Sequence, residues 1–174
     1  MFLNLLLITV LIICIVTDLK SRKIYNKVIF PALLLALLLN TVEFGLAGLG
    51  SSVVGFFVGL GILIIPYLMG GMGAGDVKLL ALVGAIKGVS FVLITAVYMA
   101  IIGGGIGLCI LLFRKGFLYR IRTFLFSLIT LRLKTGIKPS LGLDNNTLKK
   151  TYPYAVAIAG GAFMAFLWNG VVLL

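Results

Sequence analysis

Four side chains in this chain are acidic, Asp18, Glu43, Asp76 and Asp144, and there is no histidine. Without an imidazole, Ser-His-Asp and Cys-His nucleophiles, an H-E-x-x-H zinc site and histidine proton relays are all excluded. A Ser-Lys dyad is formally open, but no serine is placed near a buried lysine in a way that supports it. The chemistry left to the chain is carboxylate chemistry.

Glu43 falls in a short turn between apolar runs, and Asp144 stands in a polar stretch beside Asn145 and Asn146, where a solvated carboxylate needs no further role. Asp18 and Asp76 are different, because each marks the junction between an apolar helix and one face of a membrane. Two carboxylates brought within a few ångströms at a partly dry site share a proton, since both cannot ionise easily. One then acts as base on a water molecule while the other donates a proton to a scissile carbonyl, which is the chemistry of an aspartic protease. Other readings stay open on spacing alone. Asp18 can be a helix-end carboxylate paired with Lys20, Arg22 or Lys23, and Asp76 can be the N-cap of the helix it opens.

Asp76 follows a side-chain-poor run, Gly70-Gly71-Met72-Gly73-Ala74-Gly75. Glycine here permits close approach of another backbone, such as an extended substrate, or simply a flexible turn between helices.

The elements that carry these residues are written in the hydropathy. Of the 174 residues 62% are apolar and 11% charged, far from the balance of a soluble domain, and the apolar runs are long enough to cross a bilayer. The fifteen Lys and Arg, against four acids, are gathered mainly in two segments between these runs. That is the pattern of cytoplasmic loops in a membrane protein and a poor one for binding nucleic acid. The spans read as Phe2 to Thr17, Val28 to Val42 with Pro31 in its first turn, Leu46 to Met69, a short helix Val77 to Ile86, Val89 to Phe113, and Tyr154 to Val172. Gly55 and Gly59 put a G-x-x-x-G face on the third. The short helix is only about 15 Å long, so it crosses only where the bilayer is thin or where preceding residues lie at membrane depth. Charge requires that it cross: Arg114 to Lys150 carries nine Lys and Arg and must lie in the cytoplasm.

The expected fold is therefore all-α: one membrane-embedded domain over residues 1–174, a bundle of six transmembrane helices with both termini outside the cytoplasm. The apolar face of Phe117 to Lys134 predicts an amphipathic helix between spans five and six, lying on the anionic cytoplasmic leaflet. The first span lacks a basic leader and a cleavage site and stays in the protein. Cys14 and Cys109 form no C-x-x-C pair and read as packing residues.

On Gly73-Ala74-Gly75-Asp76-Val77-Lys78 with Gly84 and Gly88, on Asp18 followed by Ile24 and Asn26, and on Pro153-Tyr154-Ala155-Val156-Ala157-Ile158-Ala159-Gly160, the chain resembles the type IV prepilin peptidases, which belong to the G-x-G-D intramembrane aspartic proteases. The likeness covers about Thr17 to Gly161, and Tyr25 stands where that family often has proline. It implies an endopeptidase of a prokaryotic cytoplasmic (inner) membrane that removes the short basic leader from prepilin-like or preflagellin-like precursors on the cytoplasmic side. Asp18 and Asp76 would be the catalytic pair, with Gly73, Gly75 and Lys78 shaping the site, and no metal or other cofactor is implied. Larger bacterial members carry an extra region with paired C-x-x-C motifs and also methylate the pilin, so the resemblance here is to the short, peptidase-only form. The competing classes are a small transporter using intramembrane acids for a cation and a structural subunit of a pilus machine.

Overall fold

The computed structural model describes residues 2–113 and 154–172. Among them there are five helices: α1 (Phe2–Ser21), α2 (Asn26–Leu68), α3 (Ala74–Lys87), α4 (Val89–Phe113) and α5 (Tyr154–Val172). By length and hydropathy α1, α2 and the Val89–Cys109 part of α4 are able to cross a membrane. The chain divides into two compact units, residues 1–103 with 151–174, and residues 104–150. Of the second unit only the end of α4 is described, and the amphipathic segment Phe117 to Lys134, with Asp144, lies outside the described residues.

The all-helical class agrees with the sequence; the number of helices among the described residues is five where six spans were expected. The difference lies in α2, which takes in both the second and the third apolar run. Its 43 residues would extend about 65 Å if straight, twice the hydrocarbon thickness of about 30 Å. They are not straight. Gly45 sits at φ 64° and ψ −148°, a conformation closed to side chains with a Cβ, and the two arms on either side of it turn back on each other. The turn brings Gly48 directly against the Asn40 carbonyl oxygen. The first arm starts at Asn26 rather than Val28, which leaves Pro31 inside the helix and not in its first turn.

α3 is the centre of this unit. Every residue from Leu79 to Ile86 is buried, as befits a helix that is apolar all round. Close backbone contact makes this possible. Gly55 of α2 lies directly against the Gly84 carbonyl and Gly84 against that of Gly55, while a Cβ on Gly59 would come within 2.6 Å of the Leu80 carbonyl oxygen. The G-x-x-x-G face is thus spent on α3, where dispersion between backbones replaces a hydrophobic drive that lipid cannot supply. The C-terminal carbonyls of α3 are met by side chains from both arms of α2. Asn40 Nδ2 donates to Ala85 at 3.2 Å and to Ile86 at 3.4 Å, and Ser52 Oγ donates to Ala85 as well. Carbonyls left bare at that depth would cost several kcal/mol each.

α1 runs antiparallel to α3. At one end Lys87 Nζ donates to Asn4 of α1 and stands 5.6 Å and 5.0 Å from the ring centres of Phe91 on α4 and Phe166 on α5. One ammonium therefore touches three neighbouring helices. α5 packs on α4 through Gly161, whose Cβ would lie 2.5 Å from the Thr95 carbonyl oxygen. Leu5, Ile8, Ile12 and Val16 of α1, with Leu34 and Leu38 of α2, remain exposed, the outer surface a bilayer would cover.

Candidate active site

At the opposite end of α3 from Lys87, the two acids singled out by the sequence come together. α1 continues one turn past its apolar run, so Asp18 lies inside the helix and not at its end. The helix closes behind it, where the Arg22 N–H donates to the Asp18 carbonyl at 2.8 Å and Arg22 takes φ 50°, the left-handed conformation in which helices commonly stop. Asp18 is 5% exposed. Its partner is not a neighbouring cation: Oδ2 accepts the backbone N–H of Ala155 at 3.2 Å. Among the described residues no ion pair joins it to Lys20, Arg22 or Lys23. The donor comes from the first turn of α5, where backbone N–H groups lack partners within the helix and carry positive partial charge.

Asp76 is 6% exposed and stands third in α3, which begins at Ala74 and not at Val77. Gly73 is the N-cap, so the reading of Asp76 as the cap itself is corrected. Asp76 instead bonds back to the cap: its Oδ2 accepts the Gly73 N–H at 3.1 Å, and its own N–H donates to the Gly73 carbonyl at 3.1 Å. This is the acidic half of a capping box, the glycine having no side chain for the other half. A Cβ on Gly73 would lie 3.2 Å from the Asp76 Oδ2. Any side chain at this position would press on the carboxylate.

The two acids are close enough for the charge of Asp18 to act on Asp76. Each has one carboxylate oxygen held by a backbone N–H, which helps to orient it. Such a pair has elements of general acid-base work: two carboxylates at one end of α3, each oriented by a backbone N–H, in a low-exposure setting. Glu43 is far from it. It lies at the Lys87 end, where with Asn4, Asn40, Ser51 and Lys87 it lines a cavity of about 530 Å³. Of the two cysteines, Cys14 is buried as a packing residue should be, whereas Cys109 is exposed.

The glycine run before Asp76 divides by role. Gly70, at φ 76°, turns the chain out of α2, with the N–H groups of Gly70 and Gly71 donating to Tyr67 and Pro66. Gly75 faces the α1–α2 connection, where its Cβ would meet Ile24 Cβ at 2.9 Å. Lys78 Nζ donates to Asn26 Oδ1 at 3.0 Å and stands 5.9 Å from the centre of the Phe30 ring. Ala155 is the component of the site that reading by residue type missed, because the group it offers is main chain. The signal was Pro153-Tyr154, which marks a helix start and hence a set of unpartnered N–H groups.

A sequence profile described as the type IV leader peptidase family matches residues 5–108. The chain belongs to that family. The match takes in both Asp18 and Asp76, α1 from its fourth residue onward, and all of α2 and α3, the helices on which the pair is built. Among characterised members of the family, the chain is similar to the prepilin leader peptidase/N-methyltransferase of Bacillus subtilis (strain 168), at 27% identity over 169 residues, covering 95% of this chain and 55% of that protein. It thus spans about half the length of that relative. No solved structure matches the chain.

Proposed function

We propose that this type IV leader peptidase family member is a membrane aspartic endopeptidase that removes the basic leader from a prepilin-like or preflagellin-like precursor. The observation that carries this reading is the pairing of Asp18 and Asp76: both are buried, both are held by one oxygen, and they are the two acids among the described residues that gather at one end of α3. Between them the pair holds one proton. The ionised carboxylate takes a proton from water as its oxygen bonds to the scissile carbonyl carbon, and the protonated carboxyl gives its proton to the carbonyl oxygen. When the tetrahedral intermediate collapses, the C–N bond breaks, the leaving amine takes up a proton from the protonated carboxyl, and one hydroxyl of the intermediate gives its proton to the ionised carboxylate as the carbonyl re-forms.

In this reading the acids open to the cytoplasmic side of an inner membrane, since Lys20, Arg22, Lys23 and Lys27 follow Asp18 directly and positive charge stays inside. The chain crosses six times, with each arm of α2 counted once, and both termini lie outside. The shortness of α3, about 21 Å, is accommodated because protein rather than lipid surrounds it, and irregular backbone such as Met69 to Gly73 is tolerated at depth when it is enclosed.

The test is cleavage of a co-expressed pilin-like precursor. Asp18→Asn and Asp76→Asn each keep shape and polarity but remove proton exchange, so each alone abolishes cleavage, and the double variant is little worse than either single. Glu43→Gln and Asp144→Asn retain activity. An inserted, folded Asp76→Asn protein that processes its precursor at the wild-type rate would remove Asp76 from the mechanism, and absence of cleavage by the wild type would favour a cation-binding role for the acids.

A further inference from the structure

The connection between α1 and α2 crosses the reacting end of the molecule and touches α3 at two points. Ile24 fills the space over Gly75, the residue before Asp76, so closely that a Cβ there would sit 2.9 Å from the Ile24 Cβ and 3.4 Å from its Cγ1. Two residues further on, Asn26 Oδ1 accepts from Lys78 Nζ at 3.0 Å. Lys78 is two residues past Asp76 on the same helix, and its ammonium is engaged by this amide and by the Phe30 ring, both on α2. The same connection begins at Arg22, whose N–H closes the turn that carries Asp18. A stretch of few residues thus has one end anchored at one acid and the other end on both sides of the second.

We propose that residues 22–27 form a clasp across the two carboxylates, seated on Gly75 through Ile24 and tied to Lys78 through Asn26. Ile24, Asn26 and Lys78 are then positioning residues that set the separation of Asp18 and Asp76. This rests on the catalytic reading of the pair. It also assigns Gly75 a purpose other than the two open to the sequence: the missing side chain makes room for Ile24, not for a substrate backbone. Lys78 in turn reaches this connection, its hydrogen bond going to the neutral amide of Asn26.

The experiment combines kinetics with a measurement that needs no substrate. Gly75→Ala lowers kcat by about tenfold to a hundredfold, the cost of forcing one methyl group into a filled space converted to rate, with KM little changed. Adding Ile24→Gly, which removes the colliding atom, restores a large part of that loss. Asn26→Ala and Lys78→Met each lower kcat by about threefold to tenfold, as expected for one exposed hydrogen bond, and the double variant is no slower than the slower single. Independently, cysteines placed by Asn26→Cys and Lys78→Cys in a background lacking Cys14 and Cys109 are joined in membranes by a short bifunctional thiol reagent.

Three results would overturn the clasp: Gly75→Ala raising KM with no rescue by Ile24→Gly, multiplicative losses at positions 26 and 78, or no cross-link. The cross-link is read without cleavage, so a protein that links but processes no precursor refutes the peptidase reading alone, while one that processes precursor without linking refutes the clasp alone.

Discussion

Exchanging the amide of Ala155 for an ester removes one hydrogen from the protein and leaves the side chain, fully buried, as it was. That hydrogen is the one donated to Asp18 Oδ2 at 3.2 Å. A hydrogen bond to a charged group contributes about 1.5–3 kcal/mol net, and because in the proposed mechanism this one orients a reacting carboxylate, its loss falls on the chemical step. At 1.36 kcal/mol per factor of ten, single-turnover cleavage slows by about 10-fold to about 150-fold. The same exchange at Val156 is the control, since it weakens one helix carbonyl equally but leaves the Asp18 donor in place. The assay is single-turnover processing of a synthetic precursor segment in nanodiscs, with thermal melting of each protein recorded alongside. Slowing confined to the Ala155 ester at unchanged melting temperature is the expected result. If the Ala155 ester cleaves within about twofold of the wild type, too little for one charge-assisted bond, the contact does not orient Asp18.

Packing gives a second expectation: Gly55→Ala and Gly84→Ala each drive a Cβ onto the opposing carbonyl and lower the melting temperature in detergent by several degrees or more, whereas Gly61→Ala, whose Cβ meets nothing within 4 Å, is neutral. Asn40→Ala strips a donor from the Ala85 and Ile86 carbonyls, so chemical unfolding should register a loss of about 1–3 kcal/mol, with cleavage by the folded fraction unchanged because the site lies at the other end of α3. Orientation is read by an impermeant thiol reagent on intact cells lacking Cys14 and Cys109: Glu43→Cys is labelled and Lys23→Cys is not, and the reverse pattern would put the acids on the wrong side for a cytoplasmic leader.

The all-helical class, the membrane as solvent and the placing of Asp18 and Asp76 apart from Glu43 were legible in the sequence alone. Hydropathy over twenty-residue windows and the sorting of basic residues report the solvent of each segment, and the solvent is a property of composition, not of fold. The absence of histidine narrowed the chemistry to carboxylates, and Asp18 and Asp76 separated from Glu43 by which end of a span each occupied. The pairing of Gly55 and Gly59 with a neighbour was also readable, as a face of small residues, though not that the neighbour would be α3.

What remained was decided by contacts between residues distant in sequence. The turn at Gly45 divides α2 into two arms, one for each apolar run, because its φ of 64° and ψ of −148° lie outside the helical region. The sequence could set the length of α3 only against lipid, whereas in the structure its residues from Leu79 to Ile86 are buried by other helices and its last carbonyls are met by Asn40 and Ser52. The Asp18 carboxylate, set among Lys20, Arg22 and Lys23 in sequence, is held instead by the main chain of Ala155, 137 positions away. A backbone N–H belongs to every residue but proline, so no pattern of residue types can announce which one a carboxylate will meet. Only the tertiary arrangement, bringing the start of α5 to the end of α1, selects it.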